Sequence, residues 1–247
     1  MNIRHIFNKI KEYGFKKSAE KVISRYLILT KKYYSELGED VILQHYCPGK
    51  TGFYVDIGAY HPKRISVTRM FYERGWRGIN IEPNPNSIKV FNRIRRRDIN
   101  LNIGVSDEAG ELDYYYYGPT SEGNNFNTEL YETYKKNGNH SLPQKIMKIK
   151  VDTLNNVLEN NLPKNTEIDF LTIDVEGLEL KILKSLDYDK YSPKHILVED
   201  LSFWDKNIDF MEFRNTDLYK FLNMKKYIVV AKTWYTILFR KIESTVE

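Results

Sequence analysis

The sequence contains a single cysteine, Cys47, among 247 residues. One cysteine excludes a disulfide framework within the chain, and this favours a protein of the reducing cytoplasm. No run of 18 apolar residues is present, so we predict no membrane span. The first residues, "MNIRHIFNKIKEYGFKK", are too polar for a signal peptide. Together these absences predict a cytoplasmic location.

Strong net charge is also missing, since the formal charge is only +5 and is spread over the chain. Lys and Arg concentrate in residues 9–32 and in the run Arg93, Arg95, Arg96 and Arg97. Such a run is more often a solvated helix face than a nucleic-acid surface. No separate nucleic-acid module is visible, and we therefore predict no nucleic-acid partner.

The chain is long enough for one α/β domain, and 41% of its residues are apolar. We predict this domain over residues 36–247, preceded by an N-terminal helical extension over residues 1–35. The extension carries an apolar stripe at helical spacing, formed by residues 3, 6, 7, 10 and 13. The stripe would pack on the domain or on a second subunit, so a homodimer is one alternative.

Predicted strands and helices alternate along the first part of the domain. "GFYVDIGAY" (52–60) and "GINIEP" (78–83) are near-continuous apolar runs, typical of strands covered on both faces. "INLNIGVSD" (99–107) predicts a third strand, and helices are predicted over 66–76 and 86–97. This βαβαβ pattern predicts a parallel sheet. Further strands are predicted over 111–118, 145–154, 168–177 and 194–200, with a closing pair within 226–242 and a helix over 209–225.

Residues 119–144 are polar and rich in Asn and Gly, and they predict a long loop. The segment "NNFNTE" (124–129) joins amide side chains to one aromatic residue, which would suit recognition of sugar hydroxyls. A turn-rich loop that faces water is the alternative. Aromatic side chains that could stack on a sugar face are Tyr117, Phe126, Trp204 and Trp234.

Acidic residues follow four of the predicted buried strands, at the point where each strand ends. Asp56, Glu82 and Asp174 end three of them, and the pair Glu199–Asp200 ends the fourth. In an open α/β sheet this edge forms the ligand crevice, and burying carboxylates there is costly unless they bind something. One such acid would more often cap the next helix, but four together predict a binding site.

The turn after the first strand indicates which ligand the site would take. Gly58 would let a ligand approach the backbone, and Glu82, 24 residues later, could accept two hydrogen bonds from ribose hydroxyls. The turn "DIGAYHP" has one glycine instead of G-x-G-x-x-G, so a pyrophosphate would lack its cradle. A nucleoside without phosphate, such as S-adenosylmethionine (SAM), fits this turn better than a dinucleotide.

Four segments together resemble the FkbM family of SAM-dependent methyltransferases: "GFYVDIGAYHP", "GWRGINIEPNP", "DINLNIGVSD" and "IDFLTIDVEGLELKILKSLD" followed by "YSPKHILVED". The resemblance covers roughly residues 36–240. It implies a Rossmann-like class I methyltransferase fold, with a seven-stranded, mostly parallel sheet whose last strand is antiparallel. It also implies methyl transfer from SAM to oxygen, often on sugars or other small metabolites.

The resemblance also implies roles for individual residues. Glu82 would hold the ribose diol, Asp56 would anchor the first turn, and Asp174 would lie where the methyl group is delivered. The implied cofactor-binding residues are Asp56, Gly58, Ala59, Tyr60, Glu82, Pro83, Asn84, Asn102, Gly104 and Asp174.

Methyl transfer to a hydroxyl requires loss of the hydroxyl proton, and two solutions stay open. A positioned base could take the proton; the candidates are Asp174, Glu176, His61 and His140. Alternatively, a divalent metal could lower the pKa of the hydroxyl. O-methyltransferases of related fold hold Mg²⁺ at positions that correspond here to Asp174, Glu199 and Asp200, and such oxygen ligands suit Mg²⁺ or Mn²⁺.

The leading hypothesis is therefore a SAM-dependent O-methyltransferase whose small-molecule acceptor is a carbohydrate, such as a nucleotide-activated sugar or a surface-polysaccharide sugar. Transfer to an amine, to RNA or to a protein is the enzymatic alternative. A nucleoside-binding protein without catalysis is the alternative from another class.

Overall fold

The structure, a computed structural model, describes residues 33–136, 142–200 and 209–242. Nearly all of the predicted N-terminal extension lies outside these residues, as do its apolar stripe, His140 and Trp204. The predictions that rest on them, including a homodimer, therefore stay predictions. In the three described ranges, no helix has the length and apolar character needed to cross a bilayer.

Ten strands and eight helices lie within the described ranges. The strands are β1 (Phe53–Ile57), β2 (Arg77–Ile81), β3 (Ile99–Leu101), β4 (Gly104–Ser106), β5 (Gly110–Tyr116), β6 (Lys145–Thr153), β7 (Phe170–Ile173), β8 (His195–Glu199), β9 (Tyr227–Lys232) and β10 (Thr236–Lys241). The helices are α1 (Glu39–Tyr46), α2 (Arg69–Glu73), α3 (Pro85–Ile94), α4 (Thr128–Lys136), α5 (Leu154–Asn161), α6 (Glu179–Lys184), α7 (Phe210–Phe213) and α8 (Asp217–Met224).

Seven strands form the main sheet, in the order β3-β2-β1-β7-β8-β10-β9. The neighbours from β3 to β8 pair in parallel, whereas β10 is antiparallel to both β8 and β9. The predicted α/β fold with a mostly parallel sheet of seven strands and an antiparallel last strand is confirmed. The chain builds outward from β1 to β3 and then returns to the other side of β1, so the strand order reverses between β1 and β7.

The central strands are buried on both faces, which explains their near-continuous apolar sequence. In β1, Val55 and Ile57 belong to the larger core, and Tyr54 points to the other face. There Tyr54 packs in a second cluster with Phe170 and Trp76. Successive side chains of β1 point to opposite faces of the sheet, but both faces are buried. The sequence of β1 therefore shows no alternation of apolar and polar residues.

Three predicted elements differ from the observed ones. The predicted strand over 99–107 divides into β3 of the main sheet and β4 of a second sheet, in the order β4-β6-β5. The predicted loop over 119–144 contains helix α4. The predicted helix over 209–225 divides into α7 and α8, because Thr216 lies between them in an extended conformation and caps α8 through its side chain.

Candidate active site

A cleft lies where the strand order reverses, at the carboxyl ends of β1, β2, β7 and β8. This is where ligands bind in open α/β sheets. Its cavity volume is about 260 Å³. Six acidic residues line it: Glu36, Glu82, Glu122, Asp174, Glu176 and Glu199. Among the residues that the structure describes, no Lys, Arg or His side chain lines this cleft.

The register of the sheet decides which strand-end residues meet in the cleft. Ile57 of β1 is level with Ile81 and Ile173, and Ile173 is level with Val198. The residues that follow these four are Gly58, Glu82, Asp174 and Glu199, which form one row along the edge of the sheet.

Asp56 does not belong to this row, because it lies two residues before Gly58, inside β1. Its side chain is buried and accepts a hydrogen bond from Thr68 Oγ1 at 2.7 Å. Burial raises the pKa of Asp56 to about 6. Asp56 is not among the cleft-lining residues; in this structure it supports the loop after β1, and its contact with a ligand stays a prediction.

Gly58 joins the first strand to the cleft in a conformation that other residues adopt rarely, with φ of 79°. A Cβ atom at this position would lie 1.8 Å from the carbonyl oxygen of Asp174. Glycine is therefore required for the close approach of the turn after β1 to the segment after β7.

Glu82 is buried at the edge of the row, with 5% of its surface exposed. One carboxylate oxygen accepts the Tyr60 N–H at 2.8 Å, and the other accepts the Asn84 N–H at 2.7 Å. Desolvation raises the pKa of Glu82 to about 7, although the two backbone hydrogen bonds act in the opposite direction. Each oxygen keeps a second lone pair, so the carboxylate can still accept two ligand hydroxyls.

The other predicted cofactor-binding residues divide into two groups. Those that line the cleft are Gly58, Tyr60, Pro83, Asn84, Gly104 and Asp174. Ala59 does not line it; Ala59 packs against Ile88 and Phe91. Asn102 also lies behind the lining, where its side chain donates to the carbonyl oxygens of Glu82 and Pro83 at 2.9 Å each. In this structure Ala59 and Asn102 support the cleft wall, and their contact with a ligand stays a prediction.

An aromatic surface completes the wall beside Glu82. Phe126 and Tyr114 both line the cleft, with ring centroids 4.9 Å apart. A Cβ atom on Gly104 would lie 2.6 Å from the Phe126 ring, so the glycine makes room for it. A ring in this position offers a stacking surface to a flat ligand.

Three carboxylates gather on the opposite side of the cleft. One oxygen each of Asp174, Glu176 and Glu199 lies within 4.8 Å of the other two. The predicted metal ligand Asp200 is not part of this cluster, because successive side chains of a strand point to opposite faces. Its backbone N–H instead donates to the Tyr235 carbonyl at 2.8 Å. Glu176, predicted as a base, is the third member.

Asp174 and Glu199 form a hydrogen-bonded carboxyl pair, which requires a shared proton. Burial raises the pKa of Glu199 well above its ordinary range, and the Asp174 carboxylate adds to this shift. Asp174 is accessible from the cleft, but the protein packed around it removes hydration and raises its pKa as well. At neutral pH this pair therefore carries less than two negative charges.

Glu176 occupies a turn that is held on several sides. Its φ of 60° is rare for a residue other than glycine. Its carbonyl accepts a hydrogen bond from Asn127 Nδ2 at 2.8 Å. The buried Glu179 carboxylate accepts the N–H groups of Val175 and Gly177, at 3.1 Å each. The turn therefore directs the chain after β7 so that Glu176 lines the cleft.

The predicted base His61 does not line the cleft. Its Nδ1 atom accepts hydrogen bonds from the backbone N–H groups of Lys63 and Arg64, at 3.0 and 3.1 Å. Desolvation lowers the pKa of His61, and the neighbouring Arg64 adds to this effect. In this structure His61 closes the turn as a hydrogen-bond acceptor, and its role as a base stays a prediction.

Residues 118–127, which we call the strap, run beside the cleft and are tied to both of its sides. Asn84 Nδ2 donates to the Pro119 carbonyl at 3.2 Å, and the Tyr60 hydroxyl donates to the Thr120 carbonyl at 3.0 Å. Asn127 supplies the third tie through its hydrogen bond to the Glu176 carbonyl.

The amide side chains of the strap are engaged within the protein. Asn124 donates to the carbonyls of Gly118 and Ser121, and Asn125 donates to the Gly123 carbonyl. Their oxygens accept backbone N–H groups, as does that of Asn127. These hydrogen bonds fit the turn-rich alternative, but Asn124 and Asn125 also line the cleft, so recognition of sugar hydroxyls by these amides stays a prediction.

Arg95 was predicted to lie on a solvated face, but its side chain is buried. Its guanidinium donates to the Pro62 carbonyl, the Ser66 hydroxyl and the Tyr54 hydroxyl, at 2.9, 3.1 and 3.0 Å. Arg95 therefore fastens the loop between β1 and α2. Sequence could not distinguish it from its charged neighbours, because it follows the last residue of α3 and only the packing of that helix end buries it.

Of three comparisons with known proteins, two found a match. The search of curated proteins found none. Among solved structures, a crystal structure of a Klebsiella pneumoniae protein, described provisionally as an O-methyltransferase, superposes with a TM-score of 0.44 at 9% identity, covering 87% of this chain and 83% of that one. So distant a likeness does not bear on the chemistry. The model of the methyltransferase FkbM domain family matches residues 56–229. Because this match spans more than half of the sequence, the chain belongs to the FkbM methyltransferase family.

Proposed function

We propose that this chain is a SAM-dependent O-methyltransferase with a Rossmann-like class I domain over residues 36–247. Family membership supports methyl transfer. The observation that carries the SAM assignment is an acidic cleft, lined by no described cationic side chain, at the point where the strand order reverses. SAM brings a sulfonium and an ammonium group, which such a cleft favours, and it brings no phosphate.

The residues on one side of the cleft fit the adenosine part of SAM. The unused lone pairs of Glu82 match a ribose diol, and the Phe126 ring would face the adenine. Tyr60 and Asn84 hold the Glu82 carboxylate from behind through their backbone N–H groups, so its orientation is fixed before the ligand arrives. When bound, SAM supplies an electrophilic methyl group on its sulfonium.

The opposite side of the cleft fits the acceptor. We propose a hydroxyl of a carbohydrate or other polyol, placed in line with the methyl carbon and the sulfur. In the reaction the acceptor oxygen forms a bond to the methyl carbon, the carbon–sulfur bond breaks, and the hydroxyl loses its proton. Asp174, Glu176 and Glu199 surround the position where this proton would be lost. A cytoplasmic location, inferred from the single cysteine, stays part of the proposal.

An amine acceptor is the second candidate, and the acidity of the cleft favours it. A protonated amine could be held by the same carboxylates, one of which would accept its proton before methyl transfer. This acceptor would need a weaker base than a hydroxyl does, because amines lose their proton more readily.

The test is turnover, followed as release of S-adenosylhomocysteine (SAH), with neutral sugars and polyols in one set of acceptors and amines in another. We expect turnover with at least one member of the hydroxyl set, and mass spectrometry of the product should show the methyl group on oxygen. Turnover confined to amines would replace the O-methyltransferase proposal with the second candidate. SAM binding with no turnover in either set would favour a binding protein.

A further inference from the structure

The cluster of Asp174, Glu176 and Glu199 brings three carboxylates from two strand ends to one point. Asp174 and Glu176 follow β7, and Glu199 is the last residue of β8. Their oxygens lie within 4.8 Å of one another. Oxygen ligands lie about 2.0–2.1 Å from Mg²⁺, so two ligands of one ion are at most about 4.2 Å apart. The upper bound of 4.8 Å is close to this value, so small side-chain rotations would bring the three oxygens to the spacing of ligands of a single ion.

A second observation indicates that something is bound at this point. Glu199 is only 7% exposed, and its Oε2 atom has no hydrogen-bond partner among the described residues. A buried polar atom without a partner costs about 1–3 kcal/mol, and more when the group is charged. Glu199 lines the cleft, so a bound ligand could supply the missing partner.

Within residues 33–136, 142–200 and 209–242, the lining of the cleft includes no cationic side chain beside the cluster. The charged side chains that line the cleft around it are all acidic: Glu36 before α1, Glu82 after β2 and Glu122 of the strap. Carboxylates gathered in this way repel one another unless a shared proton or a cation joins them, and a bound cation would replace the proton that Asp174 and Glu199 share.

We propose that Asp174, Glu176 and Glu199 form a binding site for one divalent cation, Mg²⁺ or Mn²⁺. All-oxygen ligands are typical of these ions. Three protein ligands leave the other positions of the ion open to water and to an acceptor hydroxyl. An ion beside the acceptor would make that hydroxyl more acidic. This catalytic role rests on the proposed function, whereas binding of the ion does not.

The test is titration of the chelator-treated 247-residue chain with Mn²⁺, without SAM, followed by the EPR signal of free Mn²⁺. We expect one Mn²⁺ per chain, displaced by Mg²⁺. Glu176→Gln and Glu199→Gln should each weaken binding at least tenfold. The matched control is Asp200→Asn, which removes the adjacent acid outside the cluster and should bind Mn²⁺ as the wild type does.

Thermal unfolding separates loss of the site from loss of the fold. We expect Mn²⁺ to raise the melting temperature of the wild type. Glu199→Gln should unfold near the temperature of the metal-free wild type, because the Gln amide can still donate a hydrogen bond to Asp174, and Mn²⁺ should no longer raise that temperature. Absence of stoichiometric Mn²⁺ binding by the wild type would overturn the proposal, and so would equal binding by Glu176→Gln and Glu199→Gln.

The remaining outcomes distinguish this proposal from the proposed function. Mn²⁺ binding without any SAM binding would leave the metal site standing and remove the methyltransferase assignment. SAM binding and turnover that persist unchanged in strong chelator would leave the methyltransferase standing and overturn the catalytic role of the ion. If an amine raises the melting temperature of the metal-free protein and Mn²⁺ does not, the cluster would be assigned to an ammonium group instead.

Discussion

Glu82 combines ligand chemistry with backbone support in a single side chain. Two backbone N–H groups orient its carboxylate, while burial raises its pKa to about 7. An ordinary glutamate titrates near 4.5, so the folded protein holds this proton more tightly than the unfolded chain does. The contribution of Glu82 to stability is therefore greatest at low pH and is lost as the pH rises from about 4.5 through 7.

SAM affinity should follow the ionisation of Glu82. Because ribose hydroxyls donate to the carboxylate, binding should strengthen as the pH rises through about 7. Well below that value, the dissociation constant should change by about tenfold per pH unit. Calorimetric titrations between pH 6 and 8.5 measure this dependence. In Glu82→Gln the dependence should be lost, and an unchanged pH profile in that variant would contradict the assignment.

Gly58 is the residue whose replacement should disturb the cleft most directly. Gly58→Ala places a side chain at φ of 79° and 1.8 Å from the Asp174 carbonyl oxygen. The backbone strain alone costs about 1–3 kcal/mol, and the contact adds to it. Urea unfolding measures the loss of stability. Gly110→Ala is the control, since a Cβ atom there meets nothing within 4 Å; equal stability of the two variants would refute this prediction.

At the scale of elements, the strap couples the two sides of the cleft. It is tied to the turn after β1, to the start of α3 and to the turn that carries Glu176. Its polar residues make these ties, which is why a segment with the composition of a loop is ordered here. The strap thus gives the acceptor side of the cleft a fixed position relative to the ribose side.

Asn127→Ala should loosen the Glu176 turn and leave the ribose side intact. The substitution removes the hydrogen bond to the Glu176 carbonyl and also the one that Asn127 Oδ1 accepts from the Leu130 N–H. Loss of the bond to Glu176, about 0.5–1.5 kcal/mol, should lower kcat by about two- to tenfold. The dissociation constant of SAM should stay within about twofold of the wild type. Asn160→Ala is the matched control, because the Asn160 amide donates only to its own helix. A similar loss of kcat in both variants would show that the strap has no such role.

The sequence predicted the strands of the main sheet better than the connections between them. A buried parallel strand has a distinct apolar run, and β1, β2, β7 and β8 all carry one. The break between β3 and β4 has no such signal, because it depends on the Asn102 side chain bonding to the carbonyls of Glu82 and Pro83. The place of α4 in the predicted loop was missed because α4 has no buried residue, so burial imposed no apolar stripe on it.

For the whole molecule, the contrast between overall and local charge is the main result. The chain has a formal charge of +5, yet the described lining of its cleft is entirely without cationic side chains. Strand-end acids were visible in the sequence, and this predicted the cleft. The exact set of acids that line the cleft was not predictable from the sequence. The register of the sheet places Gly58, and not Asp56, level with Glu82. The turn after β7 places Glu176 beside Asp174 and Glu199.

This charge distribution predicts discrimination against phosphorylated acceptors. A nucleotide-activated sugar brings a diphosphate, and the described lining offers it no Lys or Arg partner. We expect UDP-sugars neither to be methylated nor to compete with neutral acceptors, as measured by SAH release in competition assays. Methylation of a UDP-sugar in preference to its free sugar would contradict this prediction and indicate cationic contacts from residues outside the described ranges.

The central claim is that the row of Gly58, Glu82, Asp174 and Glu199 forms a SAM site. Calorimetric titration of the purified chain with SAM and SAH at pH 8 tests it most directly. We predict one site per chain for each ligand. The dissociation constant should be at least tenfold higher in Glu82→Gln and unchanged in Glu111→Gln, which alters an exposed acid on β5. Absence of heat with both ligands, or equal affinity in Glu82→Gln and the wild type, would contradict the claim.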